Sequence, residues 1–137
     1  MNSITILSAA VAVAVAGSAA QAQTAKPAAA PAAAMPKGDA AQGAKDFVVC
    51  KACHSPDKGV NKIGPSLFGV VGRTSGSVPG YNYSAANKQG HIVWTPQVLF
   101  AYLQNPRKYL PGTKMTYAGM ADPQKRANII AYLGTLK

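Results

Sequence analysis

Glutamate is absent from this chain, and four aspartates are its whole stock of acidic side chains against 14 lysines and arginines. The formal net charge of the 137 residues is +10, and none of it falls within residues 1–22. A surface this lopsided favours acidic partners and associations that weaken as salt rises. Nucleic acid would be one acidic partner, but the lysines are scattered and no aromatic-plus-basic motif of a nucleic-acid module is present. Cysteine is nearly absent too. With only Cys50 and Cys53, a four-sulfur zinc site is impossible. Nor is there a strand-like alternation or an internal repeat. The length suits one domain.

The two cysteines stand in Cys50-Lys51-Ala52-Cys53-His54. Two thiols three positions apart with a histidine directly after the second are the attachment signature of c-type haem. Each thiol can add to one vinyl group, and the imidazole is then placed to bind iron from one side. Other readings of the same residues are a redox dithiol, a disulfide, or a zinc site completed by His54 and His91. The dithiol lacks a strand–helix context, and the zinc site would have unusual ligand spacing.

Residues 1–22 read as a secretory signal peptide. Ile4 to Val15 is a short apolar run, and Ala20-Gln21-Ala22 is a small-x-small cleavage site. Its n-region has no lysine or arginine, so an uncleaved anchor is the alternative, although the run is short against the ~20 residues a span requires. Export would place the protein in the periplasm. Residues 23–37, rich in Ala and Pro, read as a semi-extended linker. The folded domain is expected over 38–137.

Within it, Asp39 to Cys50 reads as a helix with Ala40, Ala44, Phe47 and Val48 on one face. Gly43 inside it costs about 1 kcal/mol relative to Ala, which a close crossing by another helix would explain. His54 to Gly80 reads as loop. Ser84 caps a helix over 85–89 that stops at Gly90, and Thr95-Pro96 opens one carrying Leu99, Tyr102 and Leu103 on one face up to Asn105-Pro106. Residues 106–121 read as loop. Asp122-Pro123 opens a last helix with Ala127, Ile130, Ala131 and Leu133 inward, and Lys125 and Asn128 off that face. The fold class is all-α with long loops, which suits a small domain wrapped around a large cofactor.

The segments GDAAQGAKDF, CKACH, KIGPSLFGVVGR, PGYNYSAAN, IVW and NPRKYLPGTKM follow one another in this order. Together they resemble the class I cytochromes c, both mitochondrial cytochrome c and its short soluble bacterial relatives. Spacing leaves Met115 and Met120 as rival second ligands to iron, with His91 a distant third. The resemblance implies Met115, in Gly112-Thr113-Lys114-Met115. It also implies that the Pro65 carbonyl takes the proton of His54, and that Arg73, Tyr83 and Trp94 surround the haem propionates. Asn87, Tyr102 and Thr113 would form a polar set near the methionine; for Tyr102, plain core packing is the other reading. Gly43 and Phe47 would be packing residues at a helix crossing. Phe47 and Cys50 are separated by one residue fewer than in mitochondrial proteins, a spacing that several bacterial relatives share.

These readings converge on a soluble periplasmic carrier of single electrons, with one haem c held covalently through Cys50 and Cys53 and no enzyme activity. It would shuttle between membrane redox complexes, from a quinol-oxidising complex to a terminal oxidase or a photosynthetic reaction centre. It would act as a monomer and dock transiently on acidic faces through lysines such as Lys51, Lys58, Lys62, Lys88, Lys108 and Lys114. A haem peroxidase with a displaceable methionine and a membrane-tethered carrier are the alternatives. A core of 100 residues is marginal without its cofactor. The haem-free chain is therefore expected to be poorly folded, and a cooperative thermal transition of native amplitude in haem-free protein would contradict this.

Overall fold

The computed structural model describes residues 34–137. The signal peptide and most of the linker read from the sequence lie outside the described residues. The architecture is all-α. It comprises α1 (Ala40–Asp46), α2 (Val48–Lys51), α3 (Ala85–Gln89), α4 (Pro96–Gln104), α5 (Pro106–Tyr109) and α6 (Pro123–Leu133). One isolated antiparallel bridge, Thr74 with Val93, is the only extended pairing among the described residues.

Helix starts are set by short polar side chains that accept otherwise orphaned N–H groups. Asp39 accepts from the Gln42 amide at 2.9 Å, Thr95 from Val98 at 3.2 Å, and Asp122 from Gln124 at 2.8 Å and Lys125 at 3.1 Å. Ser84 does the same for α3. Proline follows Thr95 and Asp122 at the first helical position, where its missing donor costs nothing. Asn105-Pro106 works the same way. It ends α4, and the Asn105 carboxamide then accepts from the Lys108 amide at 3.0 Å. The segment read as loop from 106 therefore opens with a helical turn, α5.

The domain is organised by the crossing of α1 and α6. A Cβ on Gly43 would lie 1.9 Å from the Asn128 carbonyl oxygen, so only glycine permits this approach. Phe47 is fully buried beside it, its ring 5.1 Å from that of Tyr132. Two expectations change here. The first helix breaks at Phe47, and Val48 points outward at 65% exposure instead of joining the inner face. Asn128, expected on the outer face of α6, is buried at 5% exposure. Its carboxamide oxygen accepts from the Asp39 amide and from Gln124 Nε2, both at 3.0 Å, and so ties the start of α1 to α6. Ile129 is buried as well.

Helix α4 buries Leu99, Phe100 and Tyr102 and packs on α6. Arg126 lies 4.3 Å from the centre of the Phe100 ring and donates to the Ala121 carbonyl at 2.9 Å, fixing the entry into α6. Upstream of α1, Gln124 Nε2 donates to the Lys37 carbonyl at 2.8 Å and Met35 packs on the core.

Gly43→Ala ordinarily stabilises a helix interior by about 1 kcal/mol. Here the added methyl meets a backbone carbonyl, so a net loss of about 1–3 kcal/mol is expected. At about 4–8 °C per kcal/mol for a domain of this size, a thermal melt of the haem-loaded variant checks it; a raised midpoint would refute the close crossing.

Candidate haem site

Helix α2 hands its register to the motif. The Cys53 and His54 amides donate to the Cys50 carbonyl at 3.2 and 2.9 Å, continuing a helical turn past Lys51. At i, i+3 and i+4, Cys50, Cys53 and His54 share one face. Both thiols are free and half-buried. Burial first, and then the neighbouring Cys53, push the Cys50 thiol up to about 11. At neutral pH it is an uncharged sulfur in apolar surroundings, the setting that a neutral thioether also suits.

Burial also holds the His54 imidazole below its ordinary range, against the opposing effect of the hydrogen bond it donates to the Pro65 carbonyl. Nδ1 lies 2.8 Å from that carbonyl oxygen. A carbonyl can only accept, so the proton sits on Nδ1 and the Nε2 lone pair is left for a metal. Gly64 supports the arrangement. Its amide donates to the Cys53 carbonyl at 2.7 Å, and a Cβ there would come 2.3 Å from His54 Cε1. Sequence reasoning assigned Pro65 and passed over Gly64, although the signal stood in Ile63-Gly64-Pro65.

Met115, the methionine that the resemblance implies as second ligand, is fixed at both its sulfur and its amide. Tyr102 donates its hydroxyl to Met115 Sδ at 3.1 Å, and the Met115 amide donates to Thr113 Oγ1 at 3.2 Å. Tyr102 is thus both a core residue and a polar partner, and its phenol is pushed up by burial, which a hydrogen bond with Thr113 partly offsets. Asn87 lies beside Thr113. Its carboxamide accepts from Ser84 Oγ at 2.8 Å and donates to Ser75 Oγ at 3.1 Å. The expected trio of Asn87, Tyr102 and Thr113 is therefore brought together with Met115, and Ser75 and Ser84 extend it. Met120 is held differently. Its amide donates to the Leu103 carbonyl at 2.8 Å, and its own carbonyl accepts from Arg126.

Arg73, Tyr83 and Trp94 also gather. Arg73 donates through Nη1 to the Phe68 carbonyl at 2.8 Å and through Nη2 to the Ser66 carbonyl at 2.9 Å. Its Nε is buried without a partner. The Arg126 Nε is buried without a partner too, but the half-buried Arg73 stands beside Tyr83 and Trp94, where a spare donor suits an anion. Burial pushes the Tyr83 phenol up while the Arg73 charge beside it pulls it down. The Trp94 amide donates to the Arg73 carbonyl at 2.9 Å, and its ring lies 4.8 Å from that of Tyr102. His91 stands apart, exposed in a left-handed turn at φ 45°. Among the described residues no three of His, Cys, Asp and Glu gather as a metal cluster, so a zinc site built on His91 has no geometry here.

The fit to a haem is specific. Two free cysteines share a helical face with an imidazole that presents Nε2, a thioether is fixed by Tyr102 and Thr113, and a cation with an unused donor suits a propionate. Leu67, Val71, Ile92, Val98 and Leu103 are packed on the core but incompletely covered by protein, as the apolar wall of a porphyrin pocket would be.

Fold and site together define a small all-α protein with covalently attached haem. The cytochrome c family model matches residues 40–137. Cytochrome c2 of Rhodopila globiformis is 61% identical over 103 residues, covering 74% of this chain and 97% of that protein. Cytochrome c of Euglena viridis is 55% identical over 101 residues, covering 73% and 99%. The solved structure of cytochrome cH from Methylobacterium extorquens superposes with a TM-score of 0.68 at 47% identity, covering 72% of this chain and 99% of that one. The chain belongs to the cytochrome c family. It is a monohaem electron-transfer protein and not an enzyme, and its haem c is bound covalently through Cys50 and Cys53.

Gly64→Ala would overlap the His54 ring and loosen its bond to Pro65. Loss of that bond, about 0.5–1.5 kcal/mol, should speed exchange of the His54 Nδ1 proton several-fold by NMR. An unchanged exchange rate would show that the glycine does not hold the ring.

Proposed function

We propose that this chain is a soluble periplasmic carrier in which His54 and Met115 would hold the haem iron. It would pass single electrons between membrane redox complexes, from a quinol-oxidising complex to a terminal oxidase or a photosynthetic reaction centre. The observation that carries the ligand assignment is the pairing of two fixed neutral donors: His54 locked through Nδ1 on Pro65, and Met115 Sδ held by the Tyr102 hydroxyl.

When bound, the haem supplies a one-electron ferric–ferrous couple. The chain's part is to keep its ligands still. A histidine whose tautomer is fixed by a carbonyl, and a methionine anchored at both sulfur and amide, need little rearrangement between oxidation states. A neutral thioether favours ferrous iron and so raises the potential relative to a second imidazole. Arg73, with Tyr83 beside it, offers the donors that a propionate carboxylate requires where water is scarce.

The periplasmic assignment is supported by the signal-like composition of residues 1–22. Among the described residues no helix is long and apolar enough to cross a membrane. The docking reading is supported by charge: all six lysines of the expected rim are exposed. Two have structural tasks as well, since Lys62 Nζ donates to the Lys51 carbonyl at 2.6 Å and Lys114 Nζ to the Asn82 carbonyl at 3.1 Å. Such contacts steer encounter more than they tighten binding.

Met115→Leu is expected to abolish the weak sulfur–iron absorption of the oxidised protein and to lower the potential by on the order of 0.1 V or more, within the ~0.8 V range that axial ligands command. Met120→Leu should change neither, and the reverse pattern would reassign the ligand. The second-order rate of electron transfer to a membrane oxidase should fall steeply as ionic strength approaches ~0.15 M; a flat profile would remove the charged docking face.

A further inference from the structure

We propose that Asn61 is a positioning residue for the iron ligand: it acts on His54 through the peptide bond between Pro65 and Ser66, and so sets how strongly the imidazole favours ferric iron. The inference rests on the reading of His54 as an iron ligand and adds a residue that acts from one peptide away. The Asn61 carboxamide oxygen accepts from the Ser66 amide at 2.9 Å. That amide and the Pro65 carbonyl are the two ends of one peptide group, and the carbonyl lies 2.8 Å from His54 Nδ1, whose proton it takes. A hydrogen bond at the N–H end of a peptide draws charge onto its oxygen, and hydrogen bonds in series strengthen one another by about 10–30% each. Asn61 therefore makes Pro65 a better acceptor, and a better acceptor at Nδ1 makes Nε2 a stronger donor to a metal. A stronger donor favours ferric over ferrous iron, so Asn61 holds the potential down.

The carboxamide can take only this orientation. Its Nδ2 donates to the Pro79 carbonyl at 3.2 Å, and the reverse assignment would set donor against donor at Ser66 and acceptor against acceptor at Pro79. Ser66 is 3% exposed, so its amide lies where water is scarce and a lost partner is felt. The rest of the stretch is anchored independently. The Ser66 hydroxyl donates to the Asp57 carbonyl at 2.6 Å, the Leu67 amide donates to the Ser55 carbonyl at 2.9 Å, and the Ser66 carbonyl accepts from Arg73 Nη2 at 2.9 Å. With the backbone held at these points, loss of the Asn61 bond changes the charge on the Pro65 oxygen more than its position. The two loops that Asn61 joins have a second clasp, the Tyr81 hydroxyl donated to the Ile63 carbonyl at 2.6 Å. That carbonyl belongs to a different peptide, so Tyr81 provides the control for a merely structural role.

The test uses haem-loaded protein and three variants. Asn61→Leu is similar in shape and accepts nothing, Asn61→Asp keeps the acceptor for Ser66 and loses the donor to Pro79, and Tyr81→Phe opens the other clasp. The readouts are the reduction potential, the NMR shift of the His54 Nδ1 proton in the ferrous protein, and the melting point. Asn61→Leu should move the ferric–ferrous balance about threefold toward ferrous iron, a rise of about 28 mV at 59 mV per tenfold. Its Nδ1 proton should move upfield as the hydrogen bond weakens. Asn61→Val, smaller and equally without an acceptor, gives the same reading where the leucine hinders haem loading. Asn61→Asp should keep the Nδ1 proton at or downfield of its wild-type position. Tyr81→Phe should lower the melting point and change neither the potential nor the proton shift. An unchanged potential and proton shift in Asn61→Leu makes Asn61 a loop clasp only and overturns the proposal. So do equal potential shifts in Asn61→Leu and Tyr81→Phe, which trace to loosened loops. A raised potential with an unmoved Nδ1 proton traces to the Pro79 side and overturns it too. A wild-type ferric protein whose His54 ring protons show no paramagnetic shift overturns the ligand reading instead.

Discussion

The approach of the Gly43 backbone to the Asn128 carbonyl determines where the chemistry sits. With no side chain between them, α1 and α6 close around Phe47, and the Asn128 carboxamide fastens the Asp39 amide at the start of α1. Once α1 is seated, α2 can only continue from Phe47, and α2 carries Cys50. The position of the first thioether sulfur is thus set by a helix crossing that contains no ligand. Two segments far apart in sequence must meet before the motif has a fixed place, which is why a domain this small depends on both its ends.

From that anchor the site is built by hydrogen bonds that specify orientation more than they add stability. Each neutral donor has one partner that fixes its geometry: Pro65 for His54, Tyr102 for Met115. Those partners are themselves held. The Gly64 amide is bonded to Cys53, and Tyr102 is wedged between the rings of Trp94 and Tyr109. An electron carrier gains from such redundancy, because a ligand that cannot turn away need not be reorganised when the charge on the metal changes.

Much of this was legible in the sequence wherever the cause is local. Ser84, Thr95-Pro96 and Asp122-Pro123 announce their helices because a cap acts over three residues. Cys50-Lys51-Ala52-Cys53-His54 announces its chemistry because the spacing is the geometry. What was not legible depends on distant partners. Asn128 looks like a surface residue until Asp39 arrives from 89 positions away. Val48 fits the inner face of a continuous helix, but the helix breaks at Phe47. Asn105-Pro106 carries two messages, a stop for α4 and a start for α5, and sequence alone yielded only the first. Ser75 gave no signal at all: a serine in a loop acquires a role only when the Asn87 carboxamide is placed on it. Gly64 could have been found, since a glycine before the proline that orients a ligand histidine invites the question of what packs on it.

The scarcity of acid has a structural counterpart. Asp39 and Asp122 accept helix N-terminal amides, Asp46 accepts from Gln42 Nε2 at 3.1 Å, and Asp57 accepts from Ser55 Oγ at 3.0 Å. All four carboxylates of the chain are thus engaged by neutral donors. At helix starts the backbone dipole adds to the stabilisation without needing a cation. A carboxylate satisfied in this way draws no lysine inward. Helix capping and the absence of glutamate therefore act together: the few acids needed for folding are consumed locally, and the surface charge stays strongly positive. The Arg73 guanidinium is likewise held by two backbone carbonyls and no carboxylate, and keeps a donor in reserve. In the interior and on the surface alike, acids are satisfied by neutral donors and the structural cations, Arg73, Arg126, Lys62 and Lys114, by backbone carbonyls.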